Sequence, residues 1–204
     1  MGKITLTEFI TLDGIYQGPG GPEEDPRDGF DVGGWVTPYI DEGFGEFVDE
    51  IWGRPGAFLL GRRTYEIFAG YWPNQPDSDG PVPTKLNSLP KYVVSTTLET
   101  ADWAGSTIIG EDIIHKVKTI KDETDGELQM HGSGALAQSL MSHDLIDTIY
   151  LLVFPVVLGK GLRLFADGAN PTRFQQVEAR SSSSGISMHT YELAGKPEYG
   201  TVGE

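Results

Sequence analysis

The order in which two hydrophobic periods follow one another constrains this chain most. Apolar runs with strand character end on glycines or hydroxyl residues, and amphipathic helical segments follow them. The sharpest instance is Phe58 to Phe68, Phe-Leu-Leu-Gly-Arg-Arg-Thr-Tyr-Glu-Ile-Phe. Ala57–Leu60 supplies a buried strand. Gly61 permits a tight turn and close approach of a ligand to the backbone. The helix behind it opens with Arg62, Arg63 and Thr64. Its first turn leaves unpaired N–H groups and the positive end of a dipole, which suits an anion. The two arginines add planar donors matched to phosphate.

The same grammar runs along the chain. Lys3–Thr11 alternates apolar and polar residues and predicts a strand, followed by Thr11-Leu12-Asp13-Gly14. Residues 14–37 predict a long loop. Its Tyr16, Phe30 and Trp35 favour a packed flap over a linker. Pro38–Trp52 predicts a helix with Ile40, Phe44, Phe47, Val48 and Ile51 on one face. Gly70–Leu89 reads as proline-rich loop. Strands are predicted at Lys91–Ser95, Thr107–Ile109, Glu127–His131 and within Leu145–Leu158. Helices are predicted at Asp112–Lys121 and Ala135–Met141. Phe174–Ala179 and Ile186–Leu193 predict a closing antiparallel hairpin, with residues 195–204 as a frayed tail. Strand–helix alternation followed by strands predicts a three-layer α/β/α fold. Its single mixed sheet would be mostly parallel, with the antiparallel hairpin at one edge.

At 204 residues the chain fits one domain. It carries 15 basic and 30 acidic residues, a net charge of -15. A field of that sign disfavours nucleic acid and anionic membranes, and it makes paired arginines more telling. There is no cysteine, which excludes disulfides, thiolate metal sites and cysteine nucleophiles. His115, His131, His143 and His189 are scattered, so no metal site is expected. His131 is expected to be structural. The first ten residues are too polar for a signal peptide and no apolar run reaches membrane-spanning length; a cytoplasmic protein is expected.

Three strand ends carry phosphate-type chemistry: Gly61-Arg62-Arg63-Thr64, Ser95-Thr96-Thr97 and Gly132-Ser133-Gly134. In an open α/β sheet, ligands bind outside the carboxyl ends of parallel strands. Three such turns on successive strand ends point to a dinucleotide, although the chain has no G-x-G-x-x-G run.

These turns, with Thr11-Leu12-Asp13-Gly14, Lys91-Tyr92-Val93-Val94-Ser95, His131-Gly132-Ser133, Leu145-Ile146-Asp147 and Phe154-Pro155-Val156-Val157-Leu158-Gly159, resemble the dihydrofolate reductase-like superfamily. More closely, they resemble stand-alone relatives of the riboflavin-biosynthesis reductase domain. The likeness covers residues 3–193. The resemblance implies an NADPH-dependent reductase that passes a hydride to a small heterocycle, either pterin-like or the ribosylaminopyrimidine of riboflavin synthesis. It implies that Arg62, Arg63 and Thr64 meet the cofactor phosphates beside Gly61, and that Ser95 and Thr96 hold the 2′-phosphate. Gly132, Ser133 and Gly134 would meet the pyrophosphate, and Asp13 and Gly14 would lie near the nicotinamide. A proton-assisting carboxylate is expected on the helix after the long loop, where Asp41, Glu42, Glu46 and Asp49 are the choices; Asp13 and Asp41 head the catalytic list. Trp35, Phe44 and Phe154 are expected on the substrate side, and Trp52, Trp72 and Trp103 as core or loop anchors. A phosphorylated substrate would call on Arg27, Arg54, Lys160 or Arg163. The resemblance also implies a homodimer. The alternative is a nucleotide-binding sensor on the same fold without turnover.

Overall fold

Strand β1 (Lys3–Thr11) runs through the middle of the sheet in the computed structural model, which describes residues 2–76, 80–165 and 167–203. The other strands of the sheet are β2 (Pro55–Gly61), β3 (Lys91–Val94), β4 (Ser106–Ile109), β5 (Glu127–His131), β6 (Thr148–Phe154), β7 (Arg173–Ser181) and β8 (Ser187–Gly195). The strand order is β4-β3-β2-β5-β1-β6-β8-β7. Pairing is parallel from β4 to β6, and β8 and β7 are antiparallel. The mixed, mostly parallel sheet with an antiparallel C-terminal hairpin is as the sequence predicts.

Helices cover both faces. Ile4, Leu6, Leu59, Leu128 and Met130 form one core beneath α4 (Ile113–Glu123) and α5 (Gly134–Met141), which contribute Val117, Ala137 and Leu140. The other face carries two clusters. Phe44, Phe47 and Ile51 of α1 (Glu42–Trp52) pack with Trp35, Leu152 and Phe154. Trp52, Phe58, Leu60, Tyr65 and Trp103 pack with Leu86 of α3 (Pro81–Ser88). The remaining helix, α2 (Arg62–Tyr71), starts directly from the end of β2.

Two local expectations need correction. Helix α1 starts at Glu42, not Pro38. Asp41 adopts an extended conformation and accepts the Phe44 N–H at 2.9 Å, so it caps the helix. Ile40 therefore falls outside the helix and is 58% exposed. Second, the expected loop over Gly70–Leu89 contains α3. Proline at its first position costs no hydrogen bond, because that N–H would be unpaired anyway. Lys91 caps the far end, donating from Nζ to the carbonyls of Leu86 (2.6 Å) and Leu89 (2.8 Å). Residues 77–79 of that loop and Glu204 of the expected tail lie outside the described residues.

The 14–37 flap is a packed loop. Ile15, Phe30, Trp35 and Val36 are buried. Gln17 holds it together: Nε2 donates to the carbonyls of Asp25 and Arg27, and Oε1 accepts the Leu162 N–H. Among the described residues, no helix is long and apolar enough to cross a membrane.

Candidate functional site

The carboxyl ends of β1, β2 and β5 open onto a cleft of about 980 Å³. Two of the expected turns form its rim together. Gly61, Arg62, Arg63 and Thr64 line it from β2, and Gly132, Ser133 and Gly134 line it from β5. Ser133 joins them: its Oγ accepts the Gly61 N–H at 2.9 Å and donates to Thr64 Oγ1 at 2.9 Å. Gly132 and Ser133 both have positive φ, 60° and 63°, so the chain leaves β5 through two left-handed residues. Neither α2 nor α5 has a side-chain hydrogen bond at its N-cap. Both helices therefore begin at the cleft with first-turn N–H groups available to a ligand.

The electrostatics of the rim suit an anion. Arg62 and Arg63 share Glu66 at 3.2 and 3.6 Å, and both stay 46% exposed. From the flap, Arg27 grips Asp25 with Nε at 2.6 Å and an amino group at 2.5 Å. Burial pulls the Asp25 carboxyl up. Arg27 overcomes this, with a smaller contribution from Arg63, and the group titrates below its ordinary range.

Several expected site residues stand elsewhere. Among the described residues, the lining does not include Asp13, Gly14, Trp35, Asp41, Ser95, Thr96 or Phe154. Asp13 closes the turn after β1: it accepts the Thr11 hydroxyl at 2.5 Å and the N–H groups of Gly159 (2.8 Å) and Leu158 (3.3 Å). Burial raises its carboxyl, but these bonds bring it below the usual range. Gly14 accepts the Leu164 N–H beside it. Asp41 accepts the Phe44 N–H, the Ser183 hydroxyl and the Ser184 N–H, which together hold it well below the ordinary carboxylate range. It is a helix cap, not an acid facing the cleft, and Glu42, Glu46 and Asp49 do not line the cleft either. Ser95 folds back on its own chain, accepting from the Thr97 and Leu98 N–H groups. In place of that turn, the start of α4, with Ile113 and Ile114, forms the far wall.

The substrate-side residues also sort differently. Phe44 lines the cleft. Trp35 is tied inward, donating Nε1–H to the Gln17 carbonyl at 2.9 Å, and Phe154 is fully buried. Trp52 and Trp72, expected as core or loop anchors, join Phe9, Val48 and Phe68 in an apolar wall. His131 stacks on Trp52 with ring centroids 4.3 Å apart. Burial holds its imidazole neutral, pushing its pKa down to about 3. The basic residues considered for a substrate phosphate are committed or distant. Arg54 bonds Tyr150 at 2.8 Å, Lys160 pairs with Asp31, and Arg163 bridges to Ile15 away from the cleft lining. Among the described residues, no cluster of side chains could hold a metal ion.

The sequence does not mark every lining residue. Glu8, on β1, is 3% exposed. It looks like an ordinary polar position in an alternating strand. Its burial becomes visible only when the sheet and flap are assembled.

The model of the RibD C-terminal domain matches residues 2–188. This chain belongs to the RibD C-terminal domain family. The chain is also similar to the uncharacterized protein YyaP of Bacillus subtilis (strain 168), 27% identical over 195 residues, spanning 95% of this chain and 96% of YyaP. Among solved structures, a pyrimidine reductase-like protein of Corynebacterium diphtheriae matches with TM-score 0.62 at 11% identity, over 95% of this chain and 92% of that one. Dihydrofolate reductase of Enterococcus faecalis, complexed with NADP(H), matches with TM-score 0.59 at 14% identity, over 94% and 96%. These two likenesses are of fold. They show that this RibD C-terminal domain has a dihydrofolate reductase-like fold.

Proposed function

We propose that the protein is an NADPH-dependent reductase that transfers a hydride to a small, unphosphorylated heterocycle. The observation that carries this reading is the latch at Ser133. It brings two glycine turns together, each opening a helix with no side-chain cap, beside Arg62 and Arg63. First-turn N–H groups and guanidinium planes would receive the phosphates of a dinucleotide. The two arginines with Thr64 favour the 2′-phosphorylated form. When bound, such a cofactor supplies a hydride. The chain's own task is to seat the acceptor ring against the apolar wall of Phe9, Phe44, Val48 and Trp52 and to exclude water beneath the packed flap.

The same wall supports the restriction on substrate. Arg27 is the remaining basic residue near the substrate half, and it is paired with Asp25. A ribose phosphate would find no free cation there among the described residues, whereas a flat, neutral ring finds aromatic partners.

The test is a thermal melt with NADPH and NADH, followed by NADPH oxidation with pterin and pyrimidine acceptors. Protection by NADPH exceeding that by NADH is expected, and Arg63→Ala removes the difference. Absence of protection by both nucleotides refutes the reading. A second reading, a nucleotide-binding sensor, is favoured by the absence of any α1 carboxylate from the described cleft wall. Protection without oxidation of NADPH by any acceptor would select it. A homodimer is part of the proposal, and light scattering on the purified chain tests it.

A further inference from the structure

Strands β1 and β5 separate inside the cleft. Their pairing ends at Thr7 opposite His131, while β1 continues beside β6 as far as Thr11. Glu8 is the first residue of β1 beyond this fork. Its neighbour Phe9 contacts Phe44 on the α1 side. Strand alternation therefore turns Glu8 toward the α5 side, where Tyr16 covers Gly134. Glu8 lines the cleft, is 3% exposed, and its Oε1 has no hydrogen-bond partner. A buried carboxyl oxygen left unpaired is costly. Such a group persists where a bound molecule completes it.

The surroundings define the carboxyl's state. Burial alone drives it well above the ordinary carboxylate range, with no cation compensating. Tyr16 from the flap interacts electrostatically with Glu8, Arg27 and Asp25. Glu24 of the flap, Arg62 and Arg63 of α2, Asp112 before α4 and His131 of β5 also line the cleft, His131 with its ring turned onto Trp52. Tyr16 is itself raised, first by burial and then by the Glu8 carboxylate. His131 is neutral. A neutral carboxyl offers an O–H donor and a C=O acceptor side by side. Its complement is an amide edge, which offers the same two groups reversed.

We propose that Glu8 recognises an amide edge on the ring bound in the cleft, its carboxyl donating to the amide oxygen and accepting from the amide N–H. Two sources carry that chemistry: the carboxamide of a nicotinamide, or the lactam of a pterin-like acceptor. The proposal rests on the cleft being a dinucleotide and heterocycle site.

The experiment compares wild type, Glu8→Gln and Glu8→Leu in calorimetric titrations with NADPH, adenosine 2′,5′-bisphosphate and pterin. The bisphosphate keeps phosphates and lacks nicotinamide. Thermal melts establish that each variant folds. Glu8→Gln keeps a donor and an acceptor, so it should bind as wild type does, without the wild-type loss of affinity as pH rises. Glu8→Leu should lose about tenfold in affinity, the worth of one or two hydrogen bonds. If the loss falls on NADPH and spares the bisphosphate, Glu8 holds the carboxamide. If it falls on pterin and spares NADPH, Glu8 holds the lactam. Unchanged affinity of Glu8→Leu for both NADPH and pterin overturns the proposal while leaving the NADPH site intact. If wild type binds neither NADPH nor the bisphosphate, the reductase reading fails. Pterin binding then decides Glu8 by itself: dependence on Glu8 upholds the proposal, and independence or no binding overturns it.

Discussion

The ring of Tyr16 lies across Gly134 so closely that a Cβ at position 134 would stand 2.6 Å from Tyr16 Cζ. The flap and the start of α5 thus meet through a side chain and a bare backbone. Gly134→Ala should push the Tyr16 ring away, weakening NADPH protection and lowering stability by about 1–3 kcal/mol, the usual cost of overpacking. Adding Tyr16→Ala should remove most of the penalty of the alanine. Denaturant melts of the four proteins in a double-mutant cycle measure this coupling, and additive effects would contradict it.

Ser133 gives a cleaner perturbation of the rim. Its φ of 63° suits glycine, so Ser133→Gly relieves backbone strain while deleting both bonds of the latch. Stability should fall by about 1–2 kcal/mol even so, because the Gly61 N–H loses its acceptor. The melting shift produced by NADPH should shrink by more than the fall in stability explains.

His131 makes folding sensitive to acid. Its pKa is lowered from 6.5 to about 3 by burial. The unfolded chain therefore binds the extra proton between these values, and stability falls as pH drops below 6.5. By linkage the loss between pH 7 and 4 is on the order of 3 kcal/mol at most. Chemical denaturation across that range should show a shallower slope for His131→Phe, which keeps a ring against Trp52 but does not titrate.

Asp41 should behave as a cap. Its carboxyl is held below its ordinary 3.8 by the Phe44 N–H, the Ser183 hydroxyl and the Ser184 N–H. Its stabilising effect is present above that value and lost as pH falls through the lowered one. Asp41→Asn should lower the melting temperature at neutral pH and leave NADPH affinity unchanged. An Asp41→Asn protein that melts normally but loses NADPH oxidation would return this residue to the reacting centre.

Much of the architecture was legible because it rests on local periods. Alternation in Lys3–Thr11, the apolar run Ile149–Phe154 and the glycines that end β2 and follow β5 need only neighbours a few residues away. The two rim turns were legible for the same reason. The roles of Asp13 and Asp41 were not, because their partners are remote: Asp13 bonds Gly159, 146 positions on, and Asp41 bonds Ser184, 143 positions on. Helix α3 was hidden by its prolines, which mark loops as often as first turns. Glu8 was hidden because its environment is made by the fork between two strands and by a flap folding over them. No pattern in β1 itself records either.

The C-terminal hairpin grips α1 twice. Its tip reaches Asp41 through Ser183 and Ser184, and Arg180 on β7 holds both oxygens of Glu50 at 2.8 Å. That same helix presents Phe44, Val48 and Trp52 to the cleft. The hairpin therefore braces, from outside the pocket, the helix that carries its aromatic wall. Exchanging the tip residues 181–185 between relatives would shift the aromatic wall and alter ring preference without touching a residue that meets the ligand.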